Sequence, residues 1–176
     1  GTTGSIIFHE IAANFALYST AALVGILMVL IGFFFKMSII PFHMWAPDIY
    51  QGAPTPITAL LATASKTAAV AALIRVLFMA FAIVKIYWLP VLVLLSTLSM
   101  IGGNLMALRQ TNVKRLLAYS SIAQAGYMLI GIIAADAAGI KGVLFYKIPY
   151  FNARIECIRN SVLMSLAVKC IVNILK

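Results

Sequence analysis

Long apolar runs without a single charge, separated by short polar connections, set the pattern of this chain. No Asp, Glu, Lys or Arg occurs in 11–35, 86–108 or 116–135. About 20 apolar residues carry a helix across a bilayer, so each of these runs is long enough to span one. A fourth apolar stretch, 55–83, is interrupted only by Lys66 and Arg75. The pattern predicts an all-α polytopic transmembrane bundle of about 4–5 spans.

The first span is predicted over 14–37. Apolar character continues through Ile39, Ile40, Pro41, Phe42, Met44 and Trp45, too far for one straight helix. Pro41 removes a backbone donor and disfavours helical geometry at Ile40. A discontinuous helix is therefore expected, broken near 37–41 and resuming as a short piece to Tyr50. The stretch Gln51-Gly52-Ala53-Pro54-Thr55-Pro56 is a turn by composition. The next span runs from Pro56 to Val84, with proline in the first turn, where it is tolerated. Further spans are expected over 88–108 and 113–135, joined by Arg109-Gln110-Thr111-Asn112-Val113-Lys114-Arg115, and another helix begins near Gly139. The connections at 46–56 and 109–115 then share one side of the membrane. Arg109, Lys114 and Arg115 weakly favour that side as cytoplasmic, against Lys85 and Lys141.

Composition agrees. Of 176 residues, 64% are hydrophobic and 10% charged, with a mean hydropathy of +1.07. Soluble domains run nearer 45–50% apolar and about 25% charged. The formal charge of +9 would point to nucleic acid in a soluble protein. Here the bases sit singly or at the ends of apolar runs, as interface anchors do, so no nucleic-acid partner is expected. Cys157 and Cys170 are too few and too far apart for a zinc or iron–sulfur site. His9-Glu10 starts like a zinc-protease helix, but Ala13 stands where the second histidine belongs. No glycine-rich dinucleotide motif occurs, so no cofactor is expected in this chain. Gly1 follows no Met and no charged flank, which reads as an internal piece of a longer chain.

Two lysines carry the candidate chemistry. Lys66 sits about 10 residues into its span, roughly 15 Å deep and near the bilayer midplane. It is flanked by Ala62, Thr63, Ala64, Ser65, Thr67, Ala68 and Ala69, small and hydroxyl residues that make part of that face polar and allow close helix approach and room for water, so Thr63 is expected along a proton pathway. A lysine at that depth costs a few kcal/mol on insertion scales, which calls for a partner or a pathway. Lys36 lies at the break before Pro41, where freed carbonyls are expected to accept from its ammonium. An amine shielded from water can change its protonation when a nearby charge moves, as a proton relay requires. Snorkelling to the interface is the plain alternative, and it fits Arg75 and Lys85 best. Ser120, Gln124 and Tyr127 at i, i+4, i+7 make one polar face, either for interhelical hydrogen bonds or as a lining for ordered water. His43, after the break, is either a hydrogen-bonded residue or a point of proton entry.

The block from Phe35 to Pro56, with Phe35-Lys36-Met37-Ser38-Ile39-Ile40-Pro41-Phe42-His43-Met44-Trp45-Ala46-Pro47-Asp48 at its head, closely resembles the antiporter-like membrane subunits of respiratory complex I. Ala62-Thr63-Ala64-Ser65-Lys66-Thr67-Ala68 looks like the subunit N type rather than the L or M types. Gln110-Thr111-Asn112-Val113-Lys114-Arg115-Leu116-Leu117-Ala118-Tyr119-Ser120-Ser121-Ile122 matches the same family's later helix pair. The resemblance covers 20–146. It implies a proton-translocating subunit of NADH:quinone oxidoreductase in the bacterial plasma membrane, packed against other antiporter-like subunits. NADH, FMN, iron–sulfur clusters and quinone would be held by other subunits. It further implies that Lys36 corresponds to the lysine of the family's discontinuous seventh helix and Lys66 to that of the eighth. The family's fifth-helix glutamate and twelfth-helix lysine have no counterpart here. The alternative is an Mrp-type cation/proton antiporter or a membrane-bound hydrogenase, which use related modules. Residues 1–146 are thus read as part of the proton-conducting domain. The segment 147–176 departs from the pattern: Pro149 and four charges in Lys147–Arg159 argue against a further span. A shifted reading frame or an interfacial amphipathic tail would explain it.

Overall fold

A computed structural model of the chain describes residues 10–11, 19–82, 84–134, 136, 138–146, 148–149, 152–153 and 156. Most of the divergent segment 147–176, both cysteines included, lies outside the described residues. Helix α1 is Ser19–Met37, followed by the short α2, Trp45–Gly52. The next span, α3, covers Thr55–Ala80, α4 covers Lys85–Leu108 and α5 covers Val113–Ile133. Residues 138–146 are helical again, one residue ahead of the expected start at Gly139. The three helices α3, α4 and α5 are long and apolar enough to cross a membrane.

The break after α1 falls where the sequence places it. Ser38 takes a left-handed backbone with φ of 59°, and the Ile40–Pro41 peptide bond is cis. Helix α3 ends near Ala80, about one turn short of the expected Val84. Two π-helical turns, Leu61–Ser65 and Val76–Ala80, interrupt its α-helix, and nothing in the hydrophobic pattern announces them. The first stands directly before Lys66. A π turn carries one extra residue, so it rotates everything after it relative to everything before.

One stripe of α1, Ile26, Leu30, Phe34 and Met37, packs into the core with Ala69, Val70, Leu73 and Leu77 of α3. Trp88, Leu92 and Leu95 of α4 and Ala125, Met128, Leu129 and Ile132 of α5 complete it. The opposite face of α1 shows Val24, Leu27, Met28, Ile31 and Phe35 outward, as lipid-facing or helix-facing surface requires. The most extensive packing joins α4 to α5. Their backbones approach closely because Gly103 and Gly126 lack side chains. A Cβ on Gly103 would lie 2.8 Å from the Ala123 amide nitrogen, and one on Gly126 would lie 3.0 Å from the Ser96 carbonyl. The Ser96 hydroxyl donates to Gly126 O at 2.8 Å across the same crossing.

The connections before and after these helices meet on one side, as expected. Lys114 Nζ donates to Ala53 O at 2.9 Å, just past the end of α2. Arg115 pairs with Asp48 at 3.3 Å and donates to Gln51 Oε1 at 3.2 Å. Asn112 caps α5 by accepting from the Lys114 amide at 2.9 Å.

Candidate functional site

Lys66 is 2% exposed, within an apolar span whose other charge is Arg75. Its ammonium donates to Ser121 Oγ at 2.9 Å and lies 3.4 Å from Ser121 O, both on α5. The Ser121 hydroxyl in turn donates to Ala118 O at 2.7 Å, which leaves its lone pairs for the ammonium. Ala62 of α3 and Ala118 of α5 are fully buried beside Tyr50 of α2, so the approach of the three helices rests on small residues. The sequence identifies the lysine but no partner for it, and the polar face it singles out on α5 includes Ser120 rather than Ser121. Two adjacent serines lie about 100° apart around a helix, and nothing local says which of them faces α3.

Thr63, expected along a polar pathway beside Lys66, turns its hydroxyl to Ala59 O at 2.7 Å. Thr67 likewise donates to Thr63 O at 2.7 Å. These hydroxyls are spent on their own helix, a common use of threonine in apolar surroundings. Of the face expected on α5, Ser120 is half-buried and Gln124 keeps a buried Oε1 without a hydrogen-bond partner. Tyr127 is on the outer side, its hydroxyl accepting from Asn104 at 3.3 Å and its ring edge-on to Tyr146.

The broken helix satisfies its own ends without Lys36. Phe35 O accepts from the Trp45 indole at 3.0 Å and from the Ser38 amide at 3.0 Å, and Phe34 O accepts from the Ile39 amide at 2.9 Å. The Ile40 amide donates to Ser99 Oγ on α4 at 3.1 Å. The freed carbonyls expected to receive the lysine are thus occupied by the Trp45 indole and by the amides of Ser38 and Ile39. Lys36 is exposed instead, on the wall of an open groove of about 600 Å³ between α1 and α3, with Gly32, Phe33, Ser65, Ala68 and Ala72. Pro41 sits at the break itself, exposed. His43 is 6% exposed, with Nδ1 lacking a hydrogen-bond partner, and Ser38 Oγ is buried in the same condition. Arg75 and Lys85 are exposed, in keeping with side chains that reach for an interface. Sequence reasoning also missed Ser99 and Trp45, whose roles arise only once the break is folded against α4.

The arrangement is a buried, hydrogen-bonded ammonium in one span and a second amine on an adjoining groove. The family described as NADH:quinone oxidoreductase/Mrp antiporter, TM, matches residues 1–170. The match runs past Tyr146, where the motif resemblance stops. Subunit N of NADH-quinone oxidoreductase from Desulforamulus reducens is 48% identical over 157 residues, 88% of this chain and 33% of that protein. The subunit N of Salinibacter ruber is 51% identical over 153 residues, 85% of this chain and 30% of that protein. The chain thus spans about a third of the length of these curated relatives. A chain of respiratory complex I from Thermus thermophilus, solved with bound aureothin, is 41% identical with a TM-score of 0.63, covering 78% of this chain and 30% of that one. A chain of the Mrp complex from Dietzia sp. DQ12-45-1b superposes with a TM-score of 0.78 at 24% identity, over 88% of this chain and 28% of that one, a likeness of fold alone. The spans, the broken helix and these matches make this a multi-pass membrane protein, and the chain belongs to the NADH:quinone oxidoreductase/Mrp antiporter transmembrane family.

Proposed function

We propose that this chain forms part of subunit N of a proton-translocating NADH:quinone oxidoreductase in a bacterial plasma membrane. In this reading Lys66 and Lys36 relay protons, driven by quinone reduction elsewhere in the complex. The observation that carries it is the Lys66 ammonium, 2% exposed inside a membrane span and bonded to Ser121 Oγ. An ionisable residue inside a membrane span is costly to insert, and such residues mark ion and proton pathways. The relatives with 46–51% identity that bear the name subunit N support this assignment over an Mrp-type antiporter.

The chain itself holds no cofactor in this reading. NADH, FMN, iron–sulfur clusters and quinone belong to other subunits, and its neighbours are further antiporter-like membrane subunits. Lys66 takes up and gives up a proton within shielded helices. Lys36 faces the groove, where a moving charge would reach it. His43, Ser38 and Gln124, with their buried unpaired polar atoms, are candidate water contacts along the route.

In the full-length protein assembled in its complex, Lys66→Met or Lys36→Met reduces proton pumping and coupled quinone reduction. NADH oxidation by artificial acceptors stays near its normal rate, since it needs no relay. Proton uptake into membrane vesicles, measured with a fluorescent dye, checks this. Normal pumping in both variants would reject the assignment.

A further inference from the structure

We infer that Ser121 is the positioning residue for Lys66, its hydroxyl serving both protonation forms of the amine. This rests on the relay proposed above. Three observations lead to it. The threonine hydroxyls flanking Lys66 on its own helix, those of Thr63 and Thr67, are taken by carbonyls of that helix. Ser121 reaches the amine from another helix at 2.9 Å. Ser121 is itself 1% exposed, and its O–H points away, to Ala118 O at 2.7 Å.

The geometry matches the charged form. An ammonium has donors and no acceptor, so it needs the Ser121 lone pair. The neutral amine has a lone pair of its own and needs a donor. A serine hydroxyl has one O–H that rotates about the Cβ–Oγ bond, and can turn from Ala118 O to Lys66 Nζ. Ala118 O is a main-chain carbonyl within α5, so it keeps its helical partner when the hydroxyl leaves. One side chain can thereby meet the amine in both forms, as acceptor to the ammonium and as donor to the neutral amine, without helix movement. A residue offering only donors or only acceptors would leave one form with an unmet buried group.

The π turn at Leu61–Ser65 sets this contact up. It rotates Lys66 relative to the preceding turn, where the Thr58 hydroxyl donates to Tyr50 O of α2 while Lys66 meets Ser121 of α5.

The test compares Ser121→Ala, Ser121→Thr and Ser121→Val in the assembled full-length complex. Threonine and valine have nearly the same shape and differ in the hydroxyl. Complex content is normalised by NADH oxidation with an artificial acceptor. Proton pumping falls about ten-fold in Ser121→Ala, the order expected for losing a hydrogen bond to a charged group. It stays higher in Ser121→Thr than in Ser121→Val by a similar factor. Unchanged pumping in Ser121→Ala, or equal pumping in the threonine and valine variants, overturns the inference. If Lys66→Met still abolishes pumping in that case, the lysine relay stands and only the role of Ser121 falls. If Lys66→Met pumps normally, the relay itself is wrong.

Discussion

Single residues in this protein are governed by where unpaired polar groups can survive. Lys66 is legible in the sequence because a charge inside a 26-residue apolar span is costly wherever it points. Its partner is not legible, since Ser120 and Ser121 differ only in azimuth. Lys36 shows the reverse case. Its position at the end of α1 is evident from Pro41, yet its surroundings depend on which donors reach the break first. The Trp45 indole and the Ser38 amide take Phe35 O, and Ser99 takes the Ile40 amide. Ser99 is fully buried, so Ser99→Ala leaves that amide without its acceptor. An unmet buried donor costs about 1–3 kcal/mol. Purified full-length Ser99→Ala therefore melts at a lower temperature than the parent, and Ser99→Thr, which keeps the hydroxyl, loses less.

At the scale of elements, the helix boundaries within the described residues fall within about a turn of those the hydrophobic pattern predicts, while the expected start of the first span at 14 lies outside the described residues. The broken helix, the turn at Ala53-Pro54 and the Asn112 cap all come from local chemistry that proline, glycine and asparagine write into the sequence. The two π turns of α3 did not. They use residues that favour an ordinary α-helix equally well, and their extra residue is accommodated by packing against neighbours. The α4–α5 crossing likewise depends on glycines whose role shows only in the folded pair. Gly103→Val places methyl groups where the backbone of Ala123 already stands, within 2.8 Å of its amide nitrogen even for the first carbon. Such overpacking costs about 1–3 kcal/mol. The variant is expected to separate α4 from α5, lower the melting temperature and raise protease sensitivity of the 109–112 connection. Gly25→Val, where a Cβ meets nothing within 4 Å, serves as the tolerated control, with little change expected.

Across the whole molecule, one end of the bundle is tied by polar contacts and the middle by apolar ones. Arg115 bridges to Asp48 and Gln51, and Lys114 to the carbonyl of Ala53. These join α5 to the short helix after the break. Asp48 is 72% exposed, so the ion pair is screened by water and salt. Exposed pairs contribute between about 0 and 1 kcal/mol. Asp48→Asn should shift the melting temperature only slightly, and less still in high salt. Lys114→Met should cost more, because its amine meets a partly buried carbonyl at 2.9 Å. Thermal scans at low and high ionic strength separate the two.

The sequence alone was sufficient for an all-helical membrane bundle, the position of its break and the place of Lys66 within a span. Each of these follows from the expense of unmet polar groups in hydrocarbon, which is paid residue by residue and needs no knowledge of neighbours. Only the tertiary structure decided that Ser121 rather than Ser120 meets the amine, that the break closes on Ser99 and Trp45, and that Lys36 opens onto a groove. Those outcomes depend on helix rotation and crossing, which the π turn before Lys66 and the glycines of α4 and α5 set together. A change of about 100° in either helix would leave the composition untouched and bring different side chains into contact.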